Sequence, residues 1–248
     1  MAHYISGMPL WAIILFVISF LYSITFIAKP AKQAALNAGM SANKARNIQF
    51  GILGFYVIYL AYVSCLALMG VFDVNTVLPK PMIWAGIPLL IFLFGFIGNT
   101  PLFKKLLKAV SLESLIALHV FRLVGVFFII LYFYHLLPGK FAFSAEMGDV
   151  ITALLAIPVA RMVSKGNRWA KPVVYAWNIF GMLDIINLLT IAVINATNPA
   201  FIGGQGDLRE MLIFPFVWFP AFAPATILFL HVMIFRKMYQ LGLEDNKG

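Results

Sequence analysis

Apolar residues fill this chain in seven long runs separated by short polar connections, and no run alternates apolar with polar positions as a barrel strand would. The runs lie near Met8–Ala28, Ile48–Val71, Met82–Asn99, Leu112–Leu136, Glu146–Val163, Pro172–Ala196 and Met211–Phe235. At about 1.5 Å per helical residue, about 20 residues cross a roughly 30 Å hydrocarbon layer. Each run therefore predicts one helix that satisfies its own backbone N–H and C=O groups without water. The fifth run is short and contains Pro158. The seventh holds Pro215, Pro220 and Pro224, which predict a bent or loosened half-helix whose freed carbonyls neighbouring helices accommodate. Between the third and fourth runs, "TPLFKKLLKAV" (Thr100–Val110) alternates Leu102, Phe103, Leu106 and Leu107 with lysines, the pattern of a short interfacial helix whose lysines meet anionic headgroups.

Composition agrees with the pattern. With 62% hydrophobic and 11% charged residues over 248 positions, and a mean hydropathy of +0.95, the chain has more apolar surface than a water-soluble core could hide. The expectation is an all-α polytopic membrane protein forming a single domain over residues 1–248. Its first run lacks a basic leader and is long enough to span, so it reads as a retained helix.

The net charge of +9 does not point to nucleic acid, because the basic residues are spread through the connections. Lys29, Lys32, Lys44 and Arg46 flank the first connection, Lys104, Lys105 and Lys108 the third, and Arg161, Lys165, Arg168 and Lys171 the fifth. The alternate connections carry Lys80, Lys140 and Arg209, and Arg236, Lys237 and Lys247 lie in the tail. The positive-inside bias then predicts an N-terminus outside and a C-terminus in the cytoplasm, as in a bacterial inner membrane, with lipids as the expected partners. Cys65 is the one cysteine, which excludes an intrachain disulfide framework and reads as a small buried residue.

Chemistry is sparse and sits at depth. Arg122 is ten residues past Leu112, about 15 Å along a helix, where lipid exposure costs at least about 3 kcal/mol, so it must face protein or a wet cavity. Asp184, twelve residues past Pro172, lies at about 18 Å and is the first partner to test for Arg122. Asn178 and Asn187 flank Asp184; Asn187, three residues on, shares roughly its face, and Asn178 is less aligned. Glu146 and Asp149 are expected in the first turns of the fifth run, where acids complement the positive helix end. Asp149 can also line an opening toward Arg122, although its axial displacement argues against direct contact. The set His119, Arg122, Asp149, Asn178, Asp184 and Asn187 is the candidate ligand-binding or proton-relay site.

His119 and His231 fall at matching depths in different runs, about 10 Å and about 8 Å from the basic end, and make a candidate axial pair for a b-type haem in membrane electron transfer. His135 and His3 lie too far along to join them. Asp184 is expected well away from both deeper histidines, which leaves a zinc site without a third ligand, and no HExxH, GxSxG, CxxC or Walker A pattern occurs. The glycines of "FIGGQGD" (Phe201–Asp207) read as turn residues. Seven spans with an outside N-terminus resemble the overall topology of rhodopsins and G-protein-coupled receptors, in topology alone. No Lys between Met211 and Phe235 is available for a retinal Schiff base. The sequence thus predicts a helical bundle that binds or moves a small solute or proton. A haem protein and a non-catalytic assembly subunit are the alternatives; no metal, nucleic acid or enzymatic chemistry is indicated, and the oligomeric state is not determined.

Overall fold

A computed structural model describes residues 5–73, 79–197 and 208–245. His3, Phe201–Asp207 and Lys247 lie outside the described residues, among which there are helices and no strand. The helices are α1 (Leu10–Asn37), α2 (Ala42–Leu68), α3 (Met82–Asn99), the short α4 (Pro101–Ala109), α5 (Leu112–Phe133), α6 (Gly139–Ser164), α7 (Ala170–Thr197) and α8 (Trp218–Asp245), with a single 3₁₀ turn at Arg209–Leu212 ahead of α8. Seven of them, all but α4, are long and apolar enough to cross a membrane.

The outer faces show why. In α1, Trp11, Ile14, Leu15, Ile18 and Tyr22 follow one another at helical spacing and are exposed, while Ala12, Phe16, Phe20 and Ile24 on the other face are buried. Such an apolar outer face suits lipid and not water. Phe16 packs edge-on and tilted against Phe20, Phe127, Phe216 and Phe219, tying α1 to α5 and α8. Cys65, expected to be buried, is instead exposed on the outward face of α2, in register with Ile58, Tyr62 and Leu68. An apolar exterior removes the usual reason for an uncharged thiol to turn inward.

Two helices occupy the centre. α5 and α8 have the most buried spanning segments. α5 packs on α1, α6 and α8, and α8 on α2, α3, α4, α5 and α7. The basic ends gather on one side: Asn37 donates to the Ala109 carbonyl at 3.2 Å and Lys237 to the Lys108 carbonyl at 2.7 Å. Thr100 and Ser111 cap α4 and α5 there, accepting from the backbone N–H of Phe103 and Ser114. At the other side the isolated bridge between Ile5 and Phe214, with Ser6 N–H donating to the Phe214 carbonyl at 2.9 Å, pairs the segments that lead into α1 and α8.

Several boundaries differ from the sequence reading, with consequences for the site. α6 begins at Gly139 and not near Glu146, because Phe141 and Ala142 carry its buried face a further two turns back. α8 begins at Trp218, so Pro215 precedes it in a cis peptide and Pro220 stands in the first turn, where no N–H partner exists to lose. Only Pro224 interrupts the interior of α8. The carbonyl it releases, on Pro220, faces α3, where a Cβ on Gly86 would lie 3.0 Å from it. α3 accommodates that approach with wide π turns at Met82–Gly86 and Phe92–Phe96, and Tyr59 of α2 donates to the neighbouring Ala221 carbonyl at 2.8 Å.

Candidate functional site

The middle of α5 is wound as a 3₁₀ helix over Leu118–Val126, a long stretch for that geometry. Three residues per turn puts His119, Arg122 and Gly125 in one row, and all three are buried. That row meets α6, α7 and α8.

Arg122 is the hub. Its Nε donates to Asp149 Oδ1 of α6 at 2.5 Å and its Nη2 to Asp184 Oδ2 of α7 at 2.6 Å. Its Nη1 lies 3.3 Å from the Gly181 carbonyl and 3.1 Å from His231 Nε2 of α8. A guanidinium only donates, so His231 Nε2 accepts and the ring hydrogen sits on Nδ1. Nδ1 then donates to Asn178 Oδ1 at 2.7 Å, and the Asn178 amide returns a bond to the His231 carbonyl at 3.1 Å. One cation therefore joins four helices, with both flanking carboxylates nearly out of reach of solvent.

Glycines make room for these side chains. A Cβ on Gly125 would lie 3.1 Å from Asp149 Oδ2 and 3.4 Å from Glu146 Oε2, and one on Gly181 would lie 2.5 Å from His231 Cε1 and 3.0 Å from Arg122 Nη1. A Cβ on Gly148 would run into the Asp184 carboxylate itself. Each helix thus carries a glycine where the next helix inserts a polar group.

Two buried members of the cluster have no hydrogen-bond partner among the described residues. Both carboxylate oxygens of Glu146 and both ring nitrogens of His119 are unpaired. His119 is enclosed by aromatic rings, with Trp177 edge-on at 5.2 Å and His231 at 4.3 Å between centroids. Trp177 is itself held by a bond to the Thr152 carbonyl at 3.0 Å.

Several expectations need correcting. Arg122 touches Asp149 directly, because the early start of α6 sets Asp149 ten residues in, about 15 Å and level with Arg122. The same shift moves Glu146 out of the first turns and into the interior. Asp184 is not remote from the histidines, since it and His231 share one guanidinium. Asn187 does not join the cluster: it is exposed and donates to Ser144 Oγ at 3.0 Å, three residues of α-helix having turned it about 60° off and carried it a turn outward. Asn178, expected to be less aligned, reaches the cluster through α8.

A haem does not fit between His119 and His231. Axial ligation requires a porphyrin plane between two imidazoles, whereas these rings are in van der Waals contact and both nitrogens of His231 are engaged. Among the described residues no group of three or more His, Cys, Asp or Glu side chains could hold a metal ion. Sequence reasoning missed Glu146 as a member and passed over the three glycines; the recurrence of Gly three residues from Arg122, next to Asp149 and three residues from Asp184 was the available signal.

Fold and site together define a helical bundle of seven candidate membrane spans built around a buried ionic centre. The chain belongs to the family described as Domain of unknown function (DUF8737), whose model matches residues 78–239. That span includes every residue of the cluster and leaves out α1 and α2. No curated protein and no solved structure matches the chain.

Proposed function

We propose that this protein binds protons and passes them across a membrane through the Arg122 centre. The observation that carries the reading is the pair of unpartnered buried groups, Glu146 and His119, at opposite ends of the cluster. Consecutive helices run antiparallel, so Glu146 beside Gly125 and His119 beside His231 are separated by six residues of 3₁₀ row, about 12 Å. A seam whose task was only to hold helices would have its polar groups satisfied.

One guanidinium is paired with Asp149 and Asp184, and Glu146 beside Gly125 adds a third buried carboxylate, so electroneutrality at this depth calls for protons or another cation. Arg122 keeps its own proton and serves as the fixed counter-charge between the acids and the imidazoles. Of the two cargoes that the sequence suggests, the tight glycine-to-side-chain contacts favour a proton, which needs no chamber. Pro224 supplies a break at which α8 can shift and change which end of the row is open. The basic ends of the helices favour a cytoplasmic C-terminus and an outside N-terminus, with Glu146 on the outer side and His119 on the inner, in a bacterial inner membrane. The whole chain acts as one membrane domain.

Proteoliposomes containing an internal pH dye and clamped with valinomycin test the reading. Glu146→Gln and His119→Gln remove a titratable group without breaking a bond, and each is expected to lower proton flux at least tenfold while leaving the melting temperature within a few degrees. Flux no greater than that of empty vesicles, or unchanged in both variants, overturns it.

A further inference from the structure

An apolar void lies away from the ionic centre, near the basic end of the bundle. It has a volume of about 390 Å³ and sits among α1, α2, α3, α4, α5 and α8. Small residues create it. Pro30, Ala31 and Ala34 present little bulk from α1, and Gly51 faces it from α2 with nothing within 4 Å of where a Cβ would be. Its floor is the apolar face of α4, Phe103, Leu106 and Leu107. It opens to the outside there: Leu102, which also lines it, is 44% exposed, and Gly51 is exposed as well.

An empty apolar void leaves its lining without contact partners, and water gains nothing by entering one with so few polar groups. At about 30 Å³ for each water-sized group the space takes on the order of a dozen methylenes, most of one acyl chain. Hydrocarbon alone does not make a selective site, because the surrounding bilayer offers the same environment. Charge does. Lys104, Lys105 and Lys108 stand exposed on the opposite face of the helix that forms the floor, and Lys29 and Lys32 flank Pro30 and Ala31. An amphiphile whose tail lies under α4 holds its headgroup at the level of those ammonium groups.

We infer that this groove is a binding site for one acyl chain of an anionic phospholipid, with the headgroup held by the lysines of α4. The site is separate from the proton pathway proposed above and does not depend on it. It also accounts for an amphipathic helix of nine residues placed between two spans.

The test uses the full chain in mild detergent, delipidated and then given phosphatidylglycerol or phosphatidylcholine, with retained lipid counted by native mass spectrometry. Wild type is expected to keep one phosphatidylglycerol at a concentration at least tenfold below that needed for phosphatidylcholine. Gly51→Phe fills the groove and should abolish retention. Gly54→Phe, on the same helix with equally open space but outside the lining, should leave retention unchanged and controls for folding. Changing Lys104, Lys105 and Lys108 together to Gln should keep a bound chain and erase the preference for phosphatidylglycerol. Equal retention of the two lipids by wild type, equal retention by wild type and Gly51→Phe, or a preference that survives the lysine changes overturns the inference.

Discussion

Arg122→Ala should destabilise the protein by about 3–5 kcal/mol, enough to remove most of the folded population of a marginally stable domain. Neutral hydrogen bonds between membrane helices contribute only about 0.6 kcal/mol on average, and by that measure the four bonds of the guanidinium would be a modest loss. Charge decides otherwise. The substitution leaves Asp149 and Asp184 buried on adjacent helices with their common partner gone, and the dominant cost is that of two uncompensated carboxylates. The consequence can be measured in a cycle. Reversible unfolding in mixed micelles should show that adding Asp149→Asn and Asp184→Asn to Arg122→Ala recovers more than half of the loss, although it removes still more polar contacts. Arg122→Lys should fall between, because an ammonium keeps the charge and lacks the planar fork that reaches α6 and α7 at once. A loss below about 1 kcal/mol for Arg122→Ala, or no recovery in the triple variant, would mean that the acids do not depend on this cation.

What the sequence disclosed followed from lengths measured from well-marked ends. The apolar runs gave the seven long helices, and counting inward from Leu112 and Pro172 brought Arg122 and Asp184 to one level because both helices start cleanly at basic connections. The same arithmetic misplaced Asp149, since "GKFAFSAE" mixes Lys, Ser and Glu with Phe and Ala and hides the first two turns of α6. Two other features had no linear signature. The 3₁₀ winding of α5, which aligns His119 with Arg122 and Gly125, depends on what the neighbouring helices insert. The order of helices around the centre, which puts Asn178 in the cluster and leaves Asn187 out, is a lateral property that depth cannot supply. The His119 and His231 depths were well matched, yet matched depth brought the rings into contact and left no gap for a cofactor.

The glycines provide the sharpest stability test of how this centre is packed. Ala ordinarily stabilises a helix interior relative to Gly by about 0.5–1 kcal/mol, and Gly54→Ala, with open space around the new methyl, should show that gain. Gly148→Ala should have the opposite sign. Its methyl occupies the position of the Asp184 carboxylate, and the conflict cannot be relieved by a small rotation while Asp184 Oδ2 stays on Arg122. Either α6 and α7 separate, or the carboxylate leaves its cation and remains buried. Overpacking alone costs about 1–3 kcal/mol, and displacing one side of the ion pair adds to it, so a loss of about 3 kcal/mol is expected with a parallel fall in proton flux. Identity of the clashing group is settled by pairing the change with Asp184→Ala, which vacates the space. The two losses should then sum to at least 1 kcal/mol more than the double variant shows. Strict additivity would place the obstruction elsewhere and detach Gly148 from the ionic centre. The contrast with Gly54 matters for the same reason: two glycines in spanning helices, equally conspicuous in sequence, should respond in opposite directions because only one of them faces a buried charge.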